Sequence, residues 1–266
     1  MNFSERYGSW GIVAGASEGL GAEYARGLAA RGVNLVLIAR RRDLLKTLAA
    51  QLTSKHGIRT KLVVQDLAAP DAAEQIVRQT MDLDVGLLVY NAAYSAVGPF
   101  LDRSMDEHLQ EIHTNVHSPL KLTYLLSQRF LARGRGGIVL MASLSAFQGS
   151  AYIATYAATK AFNIVLAESL WEEWRTQGVD VLVCISGAVL TPNYVASQPR
   201  KTGGLEDRTI PPEQVVQEAL DALGRQPYVI PGRINRVASF VMRYLVPRKL
   251  GIMFMGRTLR RMYVKS

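Results

Sequence analysis

Six short stretches of the chain are apolar at nearly every position: WGIVAGAS (10–17), VNLVLIA (33–39), TKLVVQD (60–66), VGLLVY (85–90), GGIVLMAS (136–143) and VDVLVCIS (179–186). Their apolar positions run on rather than alternate, as in strands whose two faces are both covered, the condition of a parallel sheet. Helix-length segments lie between them: GLGAEYARGLAARG (19–32), RRDLLKTLAAQLTSKHG (41–57), SMDEHLQEIHTNVHSPLKLTYLLSQRFLARG (104–134) and ATYAATKAFNIVLAESLWEEWRTQG (154–178). Each of these ends on glycine, a common helix stop. Repeated strand, helix, strand order predicts right-handed crossovers and an α/β fold: one doubly wound parallel sheet of about seven strands with helices on both faces. A ligand crevice is then expected beyond the carboxyl ends of the strands.

Length and composition narrow the picture. With 266 residues, 48% of them hydrophobic, the chain can bury the core of a single α/β domain. Residues 1–231 are expected to form that domain and residues 232–266 an extension of it. The N-terminus MNFSERYGSW lacks a basic segment followed by an apolar run, and no stretch of about 18 apolar residues offers a membrane span, so a cytoplasmic protein is expected. The lone Cys184 lies in an apolar run and reads as a buried small hydrophobe. One long irregular connection, residues 191–212, is of a length suited to a lid or substrate loop.

The formal net charge of +9 is confined to one end of the chain. All 22 acidic residues lie at or before Asp221, whereas ten basic residues lie beyond it. The extension mixes arginine with large aliphatic and aromatic residues, which suits peripheral contact with an anionic membrane, a lid over a cleft, or packing against the body or a second subunit. Nucleic-acid binding is not expected, because the cations are interleaved with aliphatics rather than polar groups.

Candidate chemistry begins at the first strand end. In AGASEGLG (14–21), Gly15, Ser17, Gly19, Leu20 and Gly21 join a strand to a helix, where bare backbone lets a diphosphate approach the amide donors of the helix start. About twenty residues on, a site for the unphosphorylated dinucleotide has an acidic residue. Here Ala39 stands there and Arg40, Arg41 and Arg42 follow. A guanidinium binds a 2′-phosphate that a carboxylate would repel, so Arg40 points to NADP, the alternative being a solvated basic helix start. Asp66 suits either an adenine amino group or the capping of its own loop. Tyr156 and Lys160, four apart on a helix, share a face. An ammonium nearby, and an oxidised nicotinamide, would both favour the phenolate and make Tyr156 a usable acid or base. Ser143, at a strand end, would donate to the oxygen on which charge develops. The four histidines offer no three-ligand metal constellation.

These residues resemble the short-chain dehydrogenase/reductases, a Rossmann-type family, over roughly residues 8–190. AGASEGLG resembles the family's TGxxxGxG; YNAA (90–93), containing Asn91, resembles its NNAG. Asn115 in HTNVH matches the helix asparagine. Ser143 and YAATK (156–160) match the catalytic serine and YxxxK, with the family's thirteen-residue interval, and SGAVLT (186–191) resembles PGxxxT. The departures are Ala14 for threonine, Tyr90 for the first asparagine, Ala93 for glycine and Ser186 for proline.

The resemblance implies an NADP(H)-dependent oxidoreductase with Ser143, Tyr156, Lys160 and Asn115 as its catalytic set. Lys160 would bond the nicotinamide ribose, Asn115 would hold a water joining the lysine to solvent, and Thr191 would stand beside the carboxamide. It also implies a homodimer or homotetramer paired through the long helices. Ser145, Phe147, Tyr94, Tyr152 and Tyr194 are the expected pocket walls, mostly aromatic and uncharged, favouring a hydrophobic carbonyl: acyl-chain, steroid-like or aromatic. Tyr152, two helical turns from Lys160, is the poorer proton donor. A catalytically silent NADP-binding regulator, or an interaction protein associated with membranes through its tail, are the other readings of the same residues.

Overall fold

The computed structural model describes residues 3–196, 200 and 208–263. Among them, seven strands form one sheet: β1 (Trp10–Ala14), β2 (Asn34–Ala39), β3 (Thr60–Val64), β4 (Val85–Tyr90), β5 (Gly136–Ser143), β6 (Val179–Ser186) and β7 (Tyr228–Val229). The order across the sheet is β3-β2-β1-β4-β5-β6-β7, with every pair parallel. The helices are α1 (Phe3–Tyr7), α2 (Gly19–Ala29), α3 (Arg42–His56), α4 (Ala72–Gln79), α5 (Met105–Ile112), α6 (Ser118–Ala132), α7 (Ala154–Trp174), α8 (Pro192–Ala196), α9 (Pro212–Ala222), α10 (Arg233–Phe240) and α11 (Arg248–Tyr263).

The unbroken apolar runs follow from a core on each side of the sheet. Ile12, Val36, Ile38 and Leu88 face one layer of helices with Leu122, Phe130 and Ile164, while Val13, Leu35, Leu37 and Val89 face the other with Tyr24, Leu28, Leu45 and Leu220. Successive strand residues point to opposite faces, so both must be apolar; each fully buried side chain of this kind contributes about 1.5–3 kcal/mol. The strand order reverses at β1, whose neighbours are β2 on one side and β4 on the other. A crevice opens at such a reversal, and it is here that AGASEGLG lies.

Two elements differ from the sequence expectation. The segment 104–134 is not one helix but α5 and α6 joined by a π-helical turn, His113–His117. Pro119 explains part of this: without an N–H it cannot bond the carbonyl of Asn115 four residues earlier, so regular helical bonding fails there. The buried Tyr90 hydroxyl donates to the carbonyl of Thr114 at 2.6 Å, bracing the same turn from β4. Within the long connection after β6, the described start folds as α8, and Val189 bridges Ile210. Residues 197–199 and 201–207 of the expected lid lie outside the described residues.

The extension packs on the body. The Arg260 Nε donates to the Tyr152 hydroxyl at 2.7 Å, the Arg243 guanidinium lies 4.3 Å from the Phe147 ring centroid, and Thr258, Leu259 and Met262 are buried. Thus α11 crosses the loop that follows β5.

The tightest approach in the sheet-end region is at Gly21. A Cβ there would stand 1.9 Å from the Gly15 carbonyl oxygen and 2.8 Å from Asn91 Nδ2. Gly21→Ala therefore forces the first turn of α2 away from the strand ends. At about 1–3 kcal/mol for overpacking, the melting temperature falls by several degrees in a thermal unfolding experiment; an unchanged melting temperature contradicts the packing described.

Candidate active site

At the reversal point, the loop after β1 is held on three sides. The N–H groups of Gly15 and Ala16 both donate to the Ile38 carbonyl at 2.8 and 3.0 Å, and Asn91 Nδ2 donates to the Gly15 carbonyl at 3.2 Å. Gly15 has φ +82°, and a Cβ on it would come within 2.8 Å of the Ala92 backbone. Both features require glycine. The chain then enters α2 at Gly19, and Glu18 before it makes no side-chain cap, so the N–H groups of the helix start face the crevice uncapped by their own loop. Leu20 packs against the core beneath. Thr191, after β6, closes the far wall: a Cβ on Gly19 would lie 3.2 Å from the Thr191 Cβ, and Thr191 Oγ1 accepts from the Tyr194 N–H at 3.2 Å.

The arginine run after β2 divides its work. Arg40 is exposed at the strand end. Arg41, which the sequence reading passed over in favour of Arg40, donates to Ser17 Oγ at 2.9 Å and pairs with Glu18 at 2.5 Å. A guanidinium is thereby fixed against the glycine loop. Asp66 Oδ1 accepts from the Ala68 N–H at 3.0 Å, so in this structure it caps its own loop, the second of the two roles its position allows.

The candidate proton-transfer groups come together across β5 and α7. Ser143 ends β5, and its hydroxyl accepts from the N–H and the hydroxyl of Ser145 at 3.3 and 3.0 Å. The Ser143 hydroxyl lies near enough to the Tyr156 phenol to favour its ionised form. Lys160, buried one turn further along α7, donates to the Met141 carbonyl at 3.1 Å, with its Nζ 5.6 Å from the Tyr156 ring centroid. Burial dominates the acidity of both groups. It pushes the Tyr156 phenol up to about 12, the Ser143 hydroxyl opposing it and the charges of Glu111 and Tyr263 adding to it. It pushes the Lys160 ammonium down to about 8. The expected acidification by the ammonium and an oxidised nicotinamide together is not visible in the protein by itself, where desolvation favours the neutral form of each group.

Asn115 is fully buried in the π-helical turn, with its amide engaged at both ends. Its oxygen accepts from the Tyr94 N–H at 2.9 Å, and its Nδ2 donates to the Tyr94 carbonyl at 2.8 Å and to Thr159 Oγ1 at 3.1 Å. The side chain thus ties the loop after β4 to α7.

Of the expected pocket residues, Ser145 is buried beside Ser143, while Tyr94, Phe147 and Tyr194 are partly exposed. Tyr152 is, among the described residues, the one non-glycine with positive φ, +67°. Its carbonyl accepts from the Gly98 N–H at 2.8 Å and its hydroxyl accepts from Arg260, so it is occupied as a strut between loop and extension. Three contributors were missed in the sequence. Arg41 was indistinguishable from its neighbours, the buried Glu111 looked like an ordinary polar helix residue, and Tyr263 lies in an extension with no periodic relation to the motifs. Glu111 holds the loop through the Ala96 N–H at 2.7 Å.

Comparison with known proteins agrees with this geometry. Residues 10–201 match the family described as short chain dehydrogenase. A 7beta-hydroxysteroid dehydrogenase of Collinsella aerofaciens is 34% identical over 241 residues, covering 89% of this chain and 90% of that protein. A solved 7beta-hydroxysteroid dehydrogenase structure superimposes with a TM-score of 0.90 at 32% identity, over 96% of this chain and 99% of the other. A short-chain dehydrogenase from Sphingobium yanoikuyae, solved with NADPH, gives a TM-score of 0.76 at 27% identity, covering 84% of this chain and 86% of that one. The match over residues 10–201 and these relatives show that the chain belongs to the short-chain dehydrogenase family.

Proposed function

We propose that the protein is an NADP(H)-dependent oxidoreductase that interconverts a ketone and a secondary alcohol on a bulky hydrophobic molecule. The observation that carries this is the Ser143, Tyr156, Lys160 grouping at the mouth of the glycine-lined crevice. The residues present suit a dinucleotide: Gly15 and Gly21 admit no side chain, which leaves bare backbone at the start of α2, and Arg41 stands fixed beside Ser17. Gly15, Ser17, Gly19, Leu20, Gly21 and Asn91 would line the diphosphate and its approaches. Arg40 and Arg41 would hold the 2′-phosphate, and Thr191 the nicotinamide end. Asp66 would meet the adenine once it leaves its loop bond. When bound, the nicotinamide supplies or accepts the hydride.

The chain's own residues handle the proton. In reduction, the Tyr156 hydroxyl donates to the carbonyl oxygen as negative charge grows there, and Ser143 donates a second bond to the same oxygen. An acid of pKa about 12 is weak in water but adequate against an alkoxide, a far stronger base than a phenolate. Lys160, buried and holding its proton below about 8, bonds the ribose and returns a proton toward Tyr156. Asn115 serves by its main chain: its carbonyl lacks the helical partner that Pro119 cannot provide, leaving an acceptor for a water between Lys160 and solvent.

The substrate reading rests on the cleft walls. Phe147, Tyr94, Tyr152 and Tyr194 are aromatic, and α11 brings Tyr263 within the electrostatic reach of Tyr156. A ketone on a fused-ring or steroid-like frame suits these walls best, with long acyl chains and aromatic ketones as the competing classes. The hydroxysteroid relative supports the first. Exposed apolar residues on α5, including Met105, Leu109 and Ile112, support pairing of two copies along that helix and α7.

Tyr156→Phe is expected to lower turnover by roughly 10²- to 10⁴-fold while NADPH still binds, measured by NADPH absorbance and fluorescence titration. Loss of NADPH binding instead would make Tyr156 a structural residue. NADPH should be preferred over NADH, and Arg41→Ala should raise the KM for NADPH by about tenfold or more, leaving that for NADH unchanged; Arg40→Ala should act in the same direction. Equal effects on both cofactors would remove the 2′-phosphate assignment. Because Lys160 keeps its proton only below about 8, ketone reduction should be fastest on the acid side of that value and fall as pH rises through it. A reductive rate that climbs across the same range contradicts this proton path.

A further inference from the structure

The extension buries one side and leaves the other unusually apolar. Along α10 and the π-helical turn after it (Val241–Leu245), the buried or partly buried positions are Asn235, Ala238, Ser239 and Met242. The opposite side shows Val237, Phe240, Tyr244 and Leu245, with Phe240 57% and Leu245 66% exposed. Pro247 then turns the chain into α11. There Gly251, Thr258, Leu259 and Met262 are buried, and Leu250, Met253 and Phe254 are exposed. Leu250, Phe254, Arg257 and Arg261 follow at helical spacing on that exposed side, so cations and large apolar groups share one surface.

The charge on this surface identifies its partner. No acidic residue occurs after Asp221, and Arg233, Lys249, Arg257 and Arg261 are all exposed beside the apolar stripe. A second copy would bring the same cations against one another, whereas an anionic lipid surface meets both requirements, taking the apolar side chains into its acyl boundary and the cations at its headgroups. No helix among the described residues is long and apolar enough to cross a membrane, so the contact is with a surface. We propose that the outer face of α10 and α11 docks the protein on an anionic bilayer. The inner side of α11 meets the loop after β5 through Arg260 and Tyr152, so docking sets the cleft beside the lipid. The contact itself is independent of the catalytic reading.

The test is co-sedimentation of the full chain with vesicles of phosphatidylcholine alone and of phosphatidylcholine with about 30% phosphatidylglycerol, at low salt and near ~0.5 M salt, without cofactor or substrate. The expected result is at least about tenfold stronger partition onto the anionic vesicles, weakened by salt, and abolished in a Phe240→Asp, Leu245→Asp double variant whose melting temperature is unchanged. A Lys249→Glu, Arg261→Glu variant should lose the anionic preference even if the first variant folds poorly. Equal binding to both vesicle types, or full binding by the variants, overturns the proposal. So does a wild-type oligomer in sedimentation velocity that Phe240→Asp dissolves, which would show that a second copy covers this face.

Discussion

Desolvation of Tyr156 and Lys160 is the constraint on which the site depends. Both groups titrate near 10 in water, and their burial between β5 and α7 drives them apart, the phenol up to about 12 and the ammonium down to about 8. The site at rest is therefore charge-poor. Tyr156 is held as a protonated donor, and a positive charge arriving in the crevice has little water to screen it, so it acts strongly on the phenol. Ser143 favours the phenolate, while Glu111 and Tyr263 oppose it. In the proposed reaction, acid and base roles are then set by what enters the cleft.

Everything else in the fold serves to keep this pair in place. The sheet reversal at β1 makes a crevice, and the crowding of Gly21 against Gly15 and Asn91 holds the start of α2 close to the strand ends. The π-helical turn sets Asn115 under the loop after β4, where the oxygen and nitrogen of its side-chain amide hold Tyr94 and Thr159. One irregularity in a long helix therefore stiffens the loop.

The six long strands and the positions of Gly15, Ser143, Tyr156 and Lys160 were legible because their signals are local: apolar runs, a strand-to-helix glycine turn, and fixed spacing on one helix. What was not legible depended on contacts between distant segments. The π-helical turn arises from Pro119 acting together with the Tyr90 hydroxyl, and periodicity alone reads through it as one helix. Arg41 is distinguished from Arg40 only by where Ser17 and Glu18 lie. The two-residue strand β7 carries too few positions to show a pattern. The tie of Tyr152 to the extension was hidden too, because Arg260, whose side chain donates to its hydroxyl, is more than a hundred positions away.

The central claim is that burial holds the Tyr156 proton until positive charge enters the cleft. Carbon-13 labelling of tyrosine Cζ, with the Tyr156 signal assigned by comparison with Tyr156→Phe, reports the state of that phenol directly. The account predicts that Tyr156 in the protein alone stays un-ionised beyond the ordinary range, toward about 12, and titrates at lower pH once NADP⁺ is added. Ionisation at or below the usual tyrosine value without the dinucleotide, or no response to its addition, would contradict it.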